Sequence, residues 1–97
     1  MCNIFAGQEP ARYRNETRSM RLNGQCTSVR LENAFWRIID EIAAGEGLST
    51  PAFVSRLHSE VLERRGEPEN FSSLLRCSCL IYMERTTAPR DVMIAAE

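Results

Sequence analysis

The sequence predicts a mainly α-helical domain with a short β element. Between residues 18 and 31, apolar and polar side chains alternate on either side of Asn23-Gly24, as expected of a β-hairpin. After residue 32 the apolar residues recur at helical spacing in three stretches, and glycine or proline lies in the breaks. Ninety-seven residues make one small domain, whose core is marginal for a monomer and adequate for a dimer.

The hairpin strands are predicted at residues 19–22 and 25–31. Asn23-Gly24 tolerates the positive φ angles of a two-residue type I′ turn, and this turn sets Leu22 opposite Gln25. Opposed residues share a face of the ribbon. The face predicted to be buried holds Met20, Leu22, Thr27, Val29 and Leu31. The face predicted to be exposed holds Ser19, Arg21, Cys26, Ser28 and Arg30.

The first helix is predicted from about Asn33, a good N-cap residue, to about Gly45. Trp36 lies one position away from its apolar stripe and is predicted to be a core or interface residue rather than a platform for stacking bases. The stripe predicted to be buried consists of Phe35, Ile38, Ile39 and Ile42.

Two further helices are predicted downstream. Ser49 or Thr50 caps the second, and Pro51 suits its first turn. The third opens at Asn70 or Ser72 and continues to about residue 84. The buried positions predicted on the second helix are Phe53, Val54, Leu57 and Val61, with Leu62 as a further candidate.

The flanking segments are predicted to carry little structure of their own. Residues 1–17 are aperiodic and indicate an N-terminal arm, residues 18–85 form the folded domain, and residues 86–97 form a loosely ordered tail. No apolar run approaches the roughly 18 residues that a membrane span needs, and the N-terminal residues lack the apolar core of a signal peptide, so no secretion is expected. A cytoplasmic protein with reduced cysteines and no membrane partner is therefore expected.

Charge is distributed unevenly along the chain. The formal net charge is −1, but residues 1–37 hold six arginines against three acidic residues, whereas residues 38–73 hold three against seven. The N-terminal part is therefore the candidate anion-facing side. There is no lysine, and arginine is the better residue for bidentate contact with guanine or phosphate.

Metal binding and catalysis are not expected. His58 is the single histidine, and the four cysteines lack zinc-type spacing, so we expect no metal and no other cofactor. Met1-Cys2 is superficially similar to the start of enzymes with an N-terminal cysteine nucleophile. That chemistry needs a large sheet sandwich and an oxyanion site, so we predict no catalytic residue and no enzyme activity.

The order of strand, helix, glycine-containing turn and Ser-capped helix resembles the ribbon-helix-helix (Arc/MetJ-type) superfamily over residues 26–62. Residues 17–24 (TRSMRLNG), residues 27–32 (TSVRLE), Phe35-Trp36 and residues 41–43 (EIA) look like a bacterial subgroup of that superfamily. In the subgroup an N-terminal Met-Cys arm precedes the strand and an extra helix follows the core. The similarity covers about residues 1–84.

The resemblance implies a homodimer in which two copies of the strand pair antiparallel into an intersubunit ribbon that lies in the DNA major groove. Cys26, Ser28 and Arg30 would then face the bases, and the helix N-terminus at Ser49 and Thr50 would hold a phosphate. Beside these, the N-terminal arginines are candidates to follow the phosphate backbone: Arg12, Arg14, Arg18 and Arg21.

Two functions remain open. One is a sequence-specific, DNA-binding transcriptional regulator that acts as a homodimer on double-stranded DNA, with a tetramer left open. The other is a protein-interaction or antitoxin-like adaptor on the same scaffold, with a protein partner and without strong DNA binding. Four strands exceed a groove about 12 Å wide, so either residues 18–22 leave the sheet to follow the phosphates or the sheet has another role.

Overall fold

A computed structural model describes the backbone of residues 2–96 and the side chains of residues 2–86. It confirms the predicted fold class, since a β-hairpin precedes three long helices. The elements are α1 (Cys2–Ala6), α2 (Pro10–Tyr13), β1 (Asn15–Leu22), β2 (Gln25–Glu32), α3 (Asn33–Gly45), α4 (Thr50–Arg65) and α5 (Phe71–Ala96).

The hairpin has the predicted register. Leu22 lies opposite Gln25, and Asn23 and Gly24 between them take φ angles of 55° and 85°, as a type I′ turn requires. Pairing continues back to Asn15 opposite Glu32, so β1 is longer than predicted and residues 18–22 stay in the sheet. The partner strand of β2 is therefore β1 of the same chain, while the predicted intersubunit pairing concerns the other edge of β2.

The inward face of the hairpin forms the centre of the core. Met20, Leu22, Val29 and Leu31 are at most 7% exposed, as predicted, and Thr27 is half-buried. The α4 helix packs against β1, α5 packs against β2, and both helices pack against α3. These helices complete the core with Val54, Leu75 and Cys79.

The buried face of α3 differs from the predicted stripe. Trp36, Ile39 and Ala43 are buried, whereas Phe35 and Ile38 are only partly covered. The reason is a tertiary contact, because the Trp36 indole N–H donates to the carbonyl oxygen of Glu16 on β1 at 2.8 Å. That hydrogen bond turns the helix towards the hairpin, and the remaining predicted position, Ile42, is half-buried.

Side-chain hydrogen bonds cap the starts of α4 and α5, but not that of α3. Glu32, rather than the predicted Asn33, is the N-cap of α3. The Ser49 hydroxyl oxygen accepts from the Ala52 N–H at 3.2 Å and caps α4, as predicted. At the start of α5 the Asn70 side-chain oxygen accepts from the Ser73 N–H at 3.1 Å.

Both flanking segments differ from the prediction. The N-terminal arm contains the short helices α1 and α2, and α2 is tied to the domain by Asn33, whose backbone N–H donates to the Arg14 carbonyl and whose side chain donates to the Ala11 carbonyl. At the other end α5 continues to Ala96, so the backbone is helical where a loosely ordered tail was predicted. Among the described residues no helix is long and apolar enough to cross a membrane.

Candidate nucleic-acid interface

The outward face of the hairpin carries the side chains that were predicted to contact DNA. Ser19, Arg21, Cys26, Ser28 and Arg30 are all exposed. They lie in cross-strand pairs, with Arg21 opposite Cys26 and Ser19 opposite Ser28, whose hydroxyl oxygens are 3.5 Å apart. The surface is thus shallow and polar, with a guanidinium towards each end.

Thr17 belongs to the same face, and sequence reasoning missed it. It lies opposite Arg30 and is exposed, but the strand was predicted to start after it. No apolar alternation extends the predicted strand back to Thr17; only its spacing, two residues before Ser19, places it on this face once the strand is known to include it. Arg30 enters no ion pair with the described residues, so its guanidinium is available to a ligand.

No described strand pairs with the second edge of β2. In a hairpin with a two-residue turn, the pair that flanks the turn is hydrogen-bonded and the pairs alternate from there. Ser28 opposite Ser19 is therefore a non-hydrogen-bonded pair, and the backbone N–H and C=O groups of Cys26, Ser28 and Arg30 point away from β1. These groups are the ones that another strand could engage.

The start of α4 is less open to an anion than the sequence suggested. The Ser49 hydroxyl is the cap, and the Thr50 hydroxyl donates to Oδ1 of Asp40 at 2.6 Å. Pro51 has no N–H, and the Phe53 N–H donates to the Ser49 carbonyl. A phosphate at this helix end would meet the backbone amide of Thr50, with the carboxylate of Asp40 close by.

Arg18 forms an ion pair with that carboxylate, so its guanidinium is not free to contact DNA phosphates. Its side chain lies on the inward side of β1, where Nη1 and Nη2 donate to the two oxygens of Asp40 at 2.8 and 3.2 Å and Nε donates to Glu16 at 2.6 Å. Burial raises the pKa of Asp40, but the hydrogen bonds from Arg18 and Thr50 and the arginine charge outweigh it, so the pKa is lowered.

The hairpin turn is fastened to α4 by Asn23. Its side-chain nitrogen lies 2.7 Å from Nδ1 of His58, and its side-chain oxygen accepts from the Ser59 hydroxyl at 2.5 Å. His58 also meets the ring of Phe71 on α5 edge-on, with 5.0 Å between centroids. The histidine is thus a partly buried structural residue, as predicted, and it joins the turn, α4 and α5.

The cysteines are all free thiols. Cys2, Cys26 and Cys77 are exposed, and Cys79 is buried. Burial raises the pKa of the Cys79 thiol to about 11, and its S–H donates to the Phe35 carbonyl at 3.6 Å. Among the described residues, no three His, Cys, Asp or Glu side chains come close enough together to hold a metal ion.

Comparison with known proteins agrees with this architecture. The sequence matches the model of a family described as "Ribbon-helix-helix domain" over residues 15–83. The structure is similar to that of an uncharacterized protein from Bordetella pertussis Tohama I, with a TM-score of 0.88 and 42% sequence identity over 93% of this chain and 72% of that one. No curated protein matches the chain. The family match spans the hairpin and all three long helices up to Met83, and the chain belongs to the ribbon-helix-helix domain family.

Proposed function

We propose that the chain is a cytoplasmic, sequence-specific DNA-binding regulator that acts as a homodimer, with the outward face of the hairpin against the major groove. One observation carries the proposal. The two faces of the ribbon differ in character. The inner face holds the buried Met20, Leu22, Val29 and Leu31 beside the polar Arg18 and Thr27, whereas the outer face holds exposed short side chains and arginines. Short side chains let a ribbon approach the base edges closely, and arginine is the commonest specific partner of guanine.

The open edge of β2 supports the homodimer. A second copy that pairs antiparallel through β2, with its dyad at Ser28, would give a sheet in the order β1–β2–β2′–β1′ and satisfy the backbone groups of Cys26 and Arg30. This arrangement also brings Arg30 of each copy towards the centre of the sheet. An unpaired, regular edge of eight residues is otherwise a liability for aggregation.

Exposed apolar side chains on α5 also support the homodimer. Phe71 faces α4 through His58, and Leu80 follows nine residues later. At about 100° per residue, nine residues place Leu80 on the opposite side of the helix, away from α4. Arg76 of α5 contacts Glu32 at the end of β2 and Cys79 contacts Phe35, so Leu80 lies at the level of the first turn of α3, just past the end of β2. A second copy there would cover Leu80, which is 57% exposed.

In the proposed four-stranded sheet, β1 and β2 would contact different parts of the DNA because the sheet is wider than the groove. With about 4.8 Å between strands, the outer strands of a four-stranded sheet lie about 14 Å apart, more than a groove about 12 Å wide admits. The central β2 pair would enter the groove, where Ser28 and Arg30 meet base edges. The twist of the sheet, roughly 20–25° per strand, turns β1 towards the backbone, where Arg21 meets phosphates.

Selection of bound fragments from a genomic DNA library, at two salt concentrations, tests the proposal. We expect enrichment of a defined sequence by the wild-type chain. Arg30→Ala should weaken binding by about 1–3 kcal/mol and relax the selected sequence, whereas Arg21→Ala should weaken all sequences and flatten the salt dependence. Arg37→Ala, at an exposed position of α3, is the matched control. No salt-dependent retention of any fragment by a folded dimer would contradict the proposal.

A protein-interaction adaptor is the second candidate. The observation that favours it is the apolar surface of α5, where Leu80, Ile81 and Met83 are 57%, 51% and 45% exposed. The acidic balance of residues 38–73 also favours a protein partner over DNA on the helical side. A dimer that selects no DNA sequence would support this candidate. We assign neither function a catalytic step.

A further inference from the structure

We infer that the groove between α4 and α5 is a second interface between copies of this chain, which joins two dimers into a tetramer. The groove has a volume of about 660 Å³. It is lined by Leu57, Glu60, Val61, Arg64, Ile81 and Arg85. The proposed DNA contact does not use this groove.

The groove has an apolar floor and a charged rim. Leu57 and Val61 of α4 are half-buried, and Ile81 of α5 is 51% exposed beside them. An apolar centre with a polar rim is the usual anatomy of a protein–protein interface. A large apolar side chain such as Ile81, exposed at the mouth of a groove, is typical of a surface that another molecule covers.

The groove is separate from the ribbon. No strand residue is among its lining residues, and α4 and α5 cover the inward face of the hairpin. Its opening therefore lies on the side of the helices opposite the DNA-facing surface. A copy bound there would leave Ser28 and Arg30 free.

The groove is also separate from the proposed dimer edge. Ile81 and Arg85 follow Phe71 by ten and fourteen residues, which places them within about 80° of Phe71, on the side of α5 that faces α4. Leu80 lies on the opposite side of α5, away from α4. The two sides of α5 can therefore serve two different contacts at once.

Charge identifies the occupant as a second copy. The rim has an acidic residue, Glu60, and a basic residue, Arg64, on α4, and a second basic residue, Arg85, on α5. In an isologous contact each residue pair occurs twice, so Arg85 of each copy would meet Glu60 of the other. Ile81 of each copy would then enter the other groove between Leu57 and Val61. A strongly acidic partner would meet Glu60 on the same rim, and a strongly basic partner would meet both Arg64 and Arg85.

The test is the mass of the full chain in solution at micromolar concentration without DNA. Four chains of 11.0 kDa give about 44 kDa. We expect Glu60→Arg and Arg85→Glu to reduce the assembly from four chains to two, because each brings like charges together. The double variant Glu60→Arg/Arg85→Glu should restore four chains, a result that a folding defect cannot produce. Ile81→Asp should also leave two chains, with the far-UV circular dichroism unchanged.

Other outcomes separate this inference from the proposed function. A wild-type mass of two chains that falls to one in Ile81→Asp, and recovers in the charge-swapped double variant, would support the groove and contradict the dimer through β2. A wild-type assembly unaffected by Ile81→Asp, or a folded double variant that stays dissociated like its parents, would overturn the groove interface. Failure to select DNA leaves the mass measurement, and hence this inference, unaffected.

Discussion

Arg18 holds both carboxylate oxygens of Asp40, at 2.8 and 3.2 Å, while its guanidinium carbon lies 4.4 Å from the ring centroid of Trp36. The arginine is on β1 and the aspartate is on α3. Because Asp40 also accepts from Thr50, the first residue of α4, one carboxylate joins three elements behind the ribbon. The orientation of the hairpin relative to the helices depends on this contact.

Arg18→Ala is predicted to lower the free energy of unfolding by about 1–2 kcal/mol. The bidentate hydrogen bonds and the contact with Trp36 favour a sizeable loss, but about a third of the arginine side chain is exposed, so solvent screens the pair. Urea unfolding followed by far-UV circular dichroism measures the change. Arg37→Ala should stay within about 0.5 kcal/mol of wild type. Equal losses in the two variants would contradict a specific role for Arg18.

Low pH should reduce the free energy of unfolding because it protonates Asp40. Its folded pKa lies below the ordinary value of 3.8, since burial, which acts to raise it, is outweighed by Arg18 and Thr50. A lowered folded pKa gives a stabilisation that is complete above the unfolded pKa and is lost as the pH falls through the folded one. We expect stability to decline below about pH 4 and the Asp40→Asn variant to lack this part of the decline. An identical acid profile in both proteins would rule out Asp40 as its source.

The hairpin could be predicted almost completely because its information is local. Asn23-Gly24 determines the turn, and strict alternation on both sides determines the faces. The start of β1 at Asn15 could not be predicted, since the residues from Asn15 to Arg18 show no apolar alternation. They are held in the strand by tertiary contacts, namely the Trp36 indole on the Glu16 carbonyl and Asp40 on Arg18.

Thiol reactivity should divide the cysteines into two classes. Cys2, Cys26 and Cys77 are exposed, whereas Cys79 is buried and its pKa is raised to about 11. Because the thiolate is the reactive form, we predict that a disulfide reagent titrates three thiols rapidly in the native protein and the fourth only upon unfolding. The Cys79→Ser variant should lose the slow class alone. Four equally fast thiols in the native wild-type protein would contradict the packing of α5 on α3.

Proline at one edge position should separate dimerisation from folding. The N–H of Ser28 points away from β1, so Ser28→Pro removes a donor that only a second chain would use. We predict that this variant keeps its strand signal in circular dichroism but has half the wild-type mass in solution. Ser19→Pro makes the same change on the outer edge of β1 and should keep the wild-type mass, as should Ser28→Ala. Loss of assembly in Ser19→Pro as well would point to damage of the hairpin itself.

The candidate site was predictable in part for the same physical reason. The outward residues of β2 follow from alternation, and all three are exposed as expected. The environment of Thr50 was not predictable, because its hydroxyl partner Asp40 is ten residues away and on another helix. Arg18 was assigned to phosphates on charge alone, whereas its position on the inward face of β1 commits it to Asp40.

Because the two-residue turn pairs β1 with β2 within one chain, each chain forms its own two-stranded ribbon before it associates with another chain. A slip of one residue would exchange the two faces of β2, and the covalent link to β1 prevents that slip within a single chain. If two chains pair through β2 as proposed, folding and association would be separate equilibria, and subunits could exchange partners without unfolding. Related chains with a compatible β2 edge could mix freely in one cell, and the composition of the assembly would follow their relative synthesis.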